Sequence, residues 1–246
     1  MYEKHISSAF DRDLEALQAM IMKMGGLVET AIRDSSEALL NRDEELATQV
    51  RAADKTIDAL EEDINLAAAR LITLRAPVAS DLRTVLSVMK ISANLERCGD
   101  YAKNMAKRTT VLVQMPTIDG ASSSIRRMAR EVDLMLKDAL DAYIQRDAEL
   151  AEVVRQRDGD VDQMYNTLFR EFLTHMMEDP RNITACMHLH FIAKNVERMG
   201  DHVTSIAEQV IYLVTGELPG EARPKGDVTT HDISAGQISE QPSDQA

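Results

Sequence analysis

Four pairs of acidic residues, each spaced by four, are the residues of this sequence whose types and spacing could do chemistry: Asp54 with Asp58, Glu96 with Asp100, Asp158 with Asp162, and Glu197 with Asp201. That spacing sets both carboxylates of a pair on one face of a helix. Like charges so placed repel by roughly 0.2–0.5 kcal/mol per pair, and by more where water is excluded. Carboxylate oxygens gathered from two helices suit hard cations such as Mg, Mn, Ca or iron better than zinc at a thiolate site. The same residues without metal make a solvated acidic face, or a set of salt bridges to Arg97 and Arg198, which lie inside the same segments. Gly99 and Gly200, each directly before the Asp, sharpen the pattern. A glycine inside a helix costs about 1 kcal/mol relative to alanine, so its recurrence points to a close approach of a neighbouring helix or an ion.

The pairs recur because the chain repeats. NLERCGD from Asn94 matches NVERMGD from Asn195, and NRDEEL from Asn41 matches QRDAEL from Gln145. The two offsets, 101 and 104, differ by three residues, which predicts a shorter hairpin after the fifth helix than after the second. In the first half, Asp54, Asp58, Glu96 and Asp100 each follow a heptad core position (Ala53, Ile57, Leu95, Gly99), so both pairs flank the seam of one bundle.

The elements that must carry these pairs are long helices. Apolar or small residues run with 4,3 spacing from Phe10 to Ala38, from Leu46 to Leu74, and from Val85 to Ala106. They run again from Ile125 to Ala142, from Leu150 to Phe172, and from Leu189 to Leu213. Asp43 offers a side-chain cap to the second helix, Ser80 or a residue beside it caps the third, and Gly216 offers a C-terminal cap to the sixth. Prolines fall between helices, at Pro77, Pro116 and Pro180, and Asp119-Gly120 makes a turn. The expected fold is all-α, two tandem antiparallel three-helix bundles: residues 1–117, then 118–216, each burying a core of its own, with 217–246 as a disordered acidic tail.

Composition narrows the function. A formal net charge of -13 and the absence of Trp argue against nucleic acid as the main partner and for basic protein surfaces or cations. No run of 18 apolar residues and no basic-then-apolar leader occur, which predicts a cytoplasmic chain that spans no membrane. Cys98 and Cys186 read as reduced, packed thiols, and the methionines, such as Met20, Met24 and Met176, as core fillers. His202 beside Asp201 is a minor metal candidate against a packed histidine, while His188 and His190 face different ways. No nucleophile elbow, P-loop or dinucleotide fingerprint is present.

The sequence resembles the PhoU family of phosphate-transport accessory proteins. The matching stretches are KMGGLVE (23–29), ASDLR (79–83), NLERCGDYAKNMAKR (94–108), MMEDPR (176–181) and NVERMGDHVTSIAEQVIYLVTG (195–216). The resemblance covers about residues 4–216 and implies a cytoplasmic regulator, not an enzyme. Members restrain the phosphate-starvation response by linking the ATPase subunit of the phosphate importer to its membrane sensor histidine kinase, and they usually form homodimers. The resemblance also implies metal clusters held by E/D-x-x-x-D pairs, which map onto Asp54, Asp58, Glu96 and Asp100, then Asp158, Asp162, Glu197 and Asp201. It does not fix the ion, which is Fe, Mg, Mn or Zn. Two departures stand out: Cys98 where Ile or Met is frequent, leaving oxidation sensitivity open, and the long polar tail.

Two rival readings come from other classes. A carboxylate-bridged di-iron enzyme uses similar bundle acids but needs a Glu-x-x-His motif on each of two helices, and the sequence has none. A metal-free helical adaptor is the other.

Overall fold

A computed structural model describes residues 2–220 of the chain, with side chains from Ala9 onward, so the expected tail falls outside it beyond Gly220. The described residues form six long helices: α1 (Tyr2–Asn41), α2 (Glu44–Arg75), α3 (Ser80–Leu112), α4 (Ala121–Gln145), α5 (Ala148–Glu178) and α6 (Ile183–Thr215). A single 3-10 turn, Pro180–Asn182, leads into α6. No strand occurs among the described residues, and no described helix is long and apolar enough to cross a membrane.

Helix ends follow the sequence signals at most joints. Asp43 caps α2 by accepting from the Leu46 N–H at 2.9 Å, and Asp147 caps α5 by accepting from Glu149 and Leu150 at 2.9 and 3.0 Å. The preceding residues, Arg42 and Arg146, take the left-handed conformation that ends α1 and α4, so the same two-residue joint serves both repeats. Gly216 closes α6 at φ 87°. Ser80 is not the cap of α3. It is the first helical residue, and Ala79 at φ 49° holds the cap position without a side-chain bond. Replacing Asp147 by alanine strands two N–H groups and is expected to lower stability by about 1 kcal/mol, read by urea titration.

The expected shorter hairpin is also corrected: residues 76–79 join α2 to α3 and residues 179–182 join α5 to α6, the same length. The drift between repeats arises because α5 is one residue shorter than α2 and α6 starts two residues nearer its acidic motif than α3 does.

α2 packs on α1 and α3, and α5 packs on α4 and α6, which gives two three-helix units. The units join through α1 against α4 and α3 against α6. The expectation of a separate core for each unit does not hold. One continuous apolar core runs from Leu17, Ile21 and Met24 through Leu95 and Cys98 to Val132, Met199 and Val203. Core-facing residues on α1, α3, α4 and α6 therefore form a central four-helix layer, with α2 and α5 as outer helices.

α3 and α6 cross antiparallel. Arg83 meets Tyr212, Asn94 meets His202, Cys98 meets Met199, and Arg108 meets His188 and Phe191. Cys98 and Met199 hold the same place in the two repeated motifs, so the approximate twofold relating the units passes through this contact. Burial explains the thiols as well. Both cysteines are free and fully buried, and desolvation pushes both thiols above their ordinary pKa, which keeps them protonated and poorly reactive.

Candidate functional site

Each acidic set lies where an outer helix meets the central layer: α2 against α3, and α5 against α6. The glycine of each motif lets the outer helix come close. A methyl group on Gly99 would stand 3.0 Å from Ile57 Cδ1 and 3.7 Å from Asp54 Oδ1, and one on Gly200 would stand 3.4 Å from both Asp158 Oδ1 and Val161 Cγ1. The repeated glycine is thus explained by helix approach, directly beside a carboxylate in each unit.

The two sets differ in how their charge is met. In the first unit Asp54 is 3% exposed, and Lys103, one turn after the motif, reaches across from α3 to place Nζ 2.5 Å from Asp54 Oδ2 and 3.0 Å from Asp100 Oδ1. Arg97 lies 3.3 Å from Glu96 and 3.4 Å from Asp100. Asp58 points to solvent. Desolvation raises the pKa of Asp54 and Glu96, and in each a neighbouring carboxylate adds to the shift. The second carboxylate oxygen of Asp54 is buried and accepts nothing.

The second unit keeps more of its acids inside. Asp158, Asp162 and Glu197 are 4, 6 and 6% exposed, and Asp201 is half-buried. The position equivalent to Lys103 is Thr204, whose hydroxyl turns back to the Gly200 carbonyl at 3.0 Å. Positive charge comes instead from Lys194, which donates to Glu197 Oε1 at 2.9 Å and lies over the Tyr165 ring, 4.9 Å from its centroid. Glu197 Oε2 is buried without a partner. Burial first, with the charges of Asp201 and Asp162 adding and Lys194 opposing, pushes the Glu197 carboxyl up to about 7. Arg155 and Arg157 stiffen the surroundings: the first pairs with Glu152 and Glu208, the second with Glu131 and Asp138 on α4.

Among the described residues no three His, Cys, Asp or Glu side chains are grouped as ligands for a metal ion. In the first unit Lys103 supplies the positive charge that Asp54 and Asp100 would otherwise take from a cation. Each unit keeps one unmet buried carboxylate oxygen, on Asp54 and on Glu197, but the second fits a cation better because it buries three of its acids. His202 Nδ1 is 2.8 Å from Asn94 Oδ1 and its ring packs on Tyr101, contacts that hold α6 to α3.

Lys103 and Lys194 are the site residues that sequence reasoning missed. Lys103 follows Asp100 by three and Lys194 precedes Glu197 by three, a helical pairing distance that was there to be read. They escape a search for repeats because neither has a lysine counterpart in the other unit. Lys103→Met strips Asp54 of its partner. The expected result is a lower melting temperature at pH 7.5, with the loss shrinking as pH is lowered, because burial raises the Asp54 pKa and its protonation removes the unpaired charge, measured by differential scanning calorimetry.

Both units are matched by one family model, the PhoU domain, over residues 21–109 and 125–210. The chain belongs to the PhoU family. Curated relatives include the phosphate-specific transport system accessory protein PhoU homologs of Caulobacter vibrioides and Zymomonas mobilis. The first is 46% identical, aligned over 92% of this chain and 98% of the relative, and the second 49% identical over 90% and 93%. The crystal structure of PhoU from Pseudomonas aeruginosa superposes with a TM-score of 0.82 at 40% identity, covering 85% of this chain and all of that one. The phosphate transport system regulatory protein PhoU from Streptococcus pneumoniae gives a TM-score of 0.79 at 31% identity, over 85% and 99%. These PhoU proteins are named as accessory or regulatory components, and the two tandem PhoU domains coincide with the two three-helix units seen here.

Proposed function

We propose that this chain is a cytoplasmic regulator of phosphate uptake and a negative regulator of the phosphate-starvation response. It works as a homodimer that docks between the ATPase subunit of a phosphate importer and the sensor histidine kinase, and it has no catalytic activity of its own. The observation that carries this reading is the pair of PhoU domains, shared along nearly the whole length of relatives named phosphate-specific transport system accessory proteins. Physically, docking regulates only if the chain binds one state of its partners better than another. Its net charge of -13 favours basic partner loops and makes the association sensitive to salt. Deleting the gene is expected to switch on a phosphate-starvation reporter in phosphate-rich medium, and the intact gene to silence it again. An unchanged reporter would overturn the proposal.

A second reading concerns the acids of the second unit. Buried Asp158, Asp162 and Glu197, with one carboxylate oxygen unmet, favour a hard cation there, with Asp201 at its edge. Such an ion would neutralise the acids and tighten α5 on α6. Titrating Mg, Mn, ferric iron or Zn into chelator-treated protein at pH 7.5 is expected to raise the melting temperature, and to do so much less in Asp158→Asn. Equal shifts in both proteins, or none, would remove the metal reading and leave a metal-free adaptor.

A further inference from the structure

The open side of the α3–α6 seam is basic on a chain that is acidic overall. Arg83, Lys90 and Arg97 recur at every seventh residue of α3, and Arg198 holds the place on α6 that Arg97 holds on α3. On α3 these positions share one stripe, between the side that meets α6 at Cys98 and the side that meets α2 at Gly99 and Lys103. Arg97 is engaged by Glu96 and Asp100, and Arg108 lies over the Phe191 ring, 4.3 Å from its centroid. Arg83, Lys90 and Arg198 pair with no carboxylate among the described residues. Arg83 is the most telling of the three, because its Nε is buried and meets no acceptor while the guanidinium lies over Tyr212.

Gly216, where α6 ends, packs directly against that Arg83 guanidinium. The chain continues from there into residues 221–246, whose sequence carries Glu221, Asp227, Asp232, Glu240 and Asp244, with no Lys or Arg after Lys225. The family match ends at residue 210, and a relative aligned over 98% of its own length leaves part of this chain without a counterpart. We propose that the seam is the docking site of the chain's own acidic C-terminal segment, residues 227–244, with carboxylates seated on Arg83, Lys90 and Arg198.

Reach permits it. Arg83 to Arg108 spans about 38 Å of helix at 1.5 Å per residue, whereas the residues beyond Gly220 extend to about 85 Å. A tether this short holds the segment at an effective concentration in the millimolar range, so weak ion pairs suffice to seat it.

A carbodiimide tests this in the full chain. It condenses a carboxylate with an amine: the carboxyl loses its oxygen to the reagent, which leaves as the urea, and an amide forms. Mass spectrometry of the monomer at low salt is expected to find Lys90 joined to Asp227, Asp232 or Glu240 in several-fold higher yield than the exposed Lys55 or Lys137. The yield should fall roughly tenfold in 0.5 M salt and in an Arg83→Gln, Arg198→Gln variant shown by its melting curve to be folded. Should that variant not fold, the salt comparison decides alone. Equal joining of Lys90, Lys55 and Lys137 to the segment, or salt-independent yields, would overturn the proposal. So would bonds found only between isotopically distinct copies.

Discussion

Glu197→Gln is expected to stabilise the protein at pH 8 by up to roughly 3 kcal/mol and to change little at pH 4. The carboxyl is buried beside Asp162 and Asp201, and its pKa lies at about 7 in the folded chain against 4.5 for an unperturbed glutamate. Folding therefore takes up a proton at this group. Its favourable contribution is complete below about pH 4.5 and is lost as pH rises through about 7, where the charged form must be held in a dry site. Glutamine cannot ionise and still accepts from Lys194, so the penalty disappears. Urea titrations at pH 4 and pH 8 give the answer directly. A hard cation bound by Glu197 would reverse the sign at pH 8, because the variant would then lose a ligand while wild type keeps its charge paired. One residue thus separates a site held together by protonation and Lys194 from one completed by metal.

The glycines give the second large effect. Leucine at Gly200 must push Asp158 and Val161 aside and is expected to destabilise by about 1–3 kcal/mol. Alanine at the same place meets its neighbours at 3.4 Å and gains about 1 kcal/mol of helix propensity, so it should be neutral or stabilising. Gly99 is tighter, since alanine there meets Ile57 at 3.0 Å, and Gly99→Leu should cost as much as its counterpart. Similar losses for alanine and leucine would mean that helix approach is not what the glycine serves.

Much of this architecture was legible because it is local. The 4,3 rhythm located all six helices, although α1 begins at Tyr2 rather than near Phe10, where the apolar rhythm starts. Asp43 and Gly216 announced their joints because a cap depends on the residues beside it. Ser80 misled for the complementary reason: residues 76–79 hold α3 by backbone geometry, with Ala76 and Ala79 both at positive φ, and no side chain reports that. The shared core was hidden too. Heptad spacing says which face of α3 is apolar, but not that Cys98 rests on Met199, 101 residues away.

The candidate site followed the same division. The i,i+4 acids and the glycines were visible as a repeated pattern, and the structure does bring α2 acids to α3 acids and α5 acids to α6 acids across close-packed seams. Their neutralisation was not, because Lys103 and Lys194 break the repeat that drew attention to the acids. This asymmetry gives the two units different electrostatics on one scaffold: the first is closed by lysine, while the second holds a carboxyl poised near neutrality.

The central claim, that the chain regulates phosphate uptake by docking, is tested most directly by capture on immobilised full-length protein. Membranes from phosphate-replete cells, solubilised at low salt, supply the importer and the kinase. The importer's ATPase subunit and the sensor kinase are both expected to be retained, and both to be released as salt is raised. Retention of neither at low salt would contradict it.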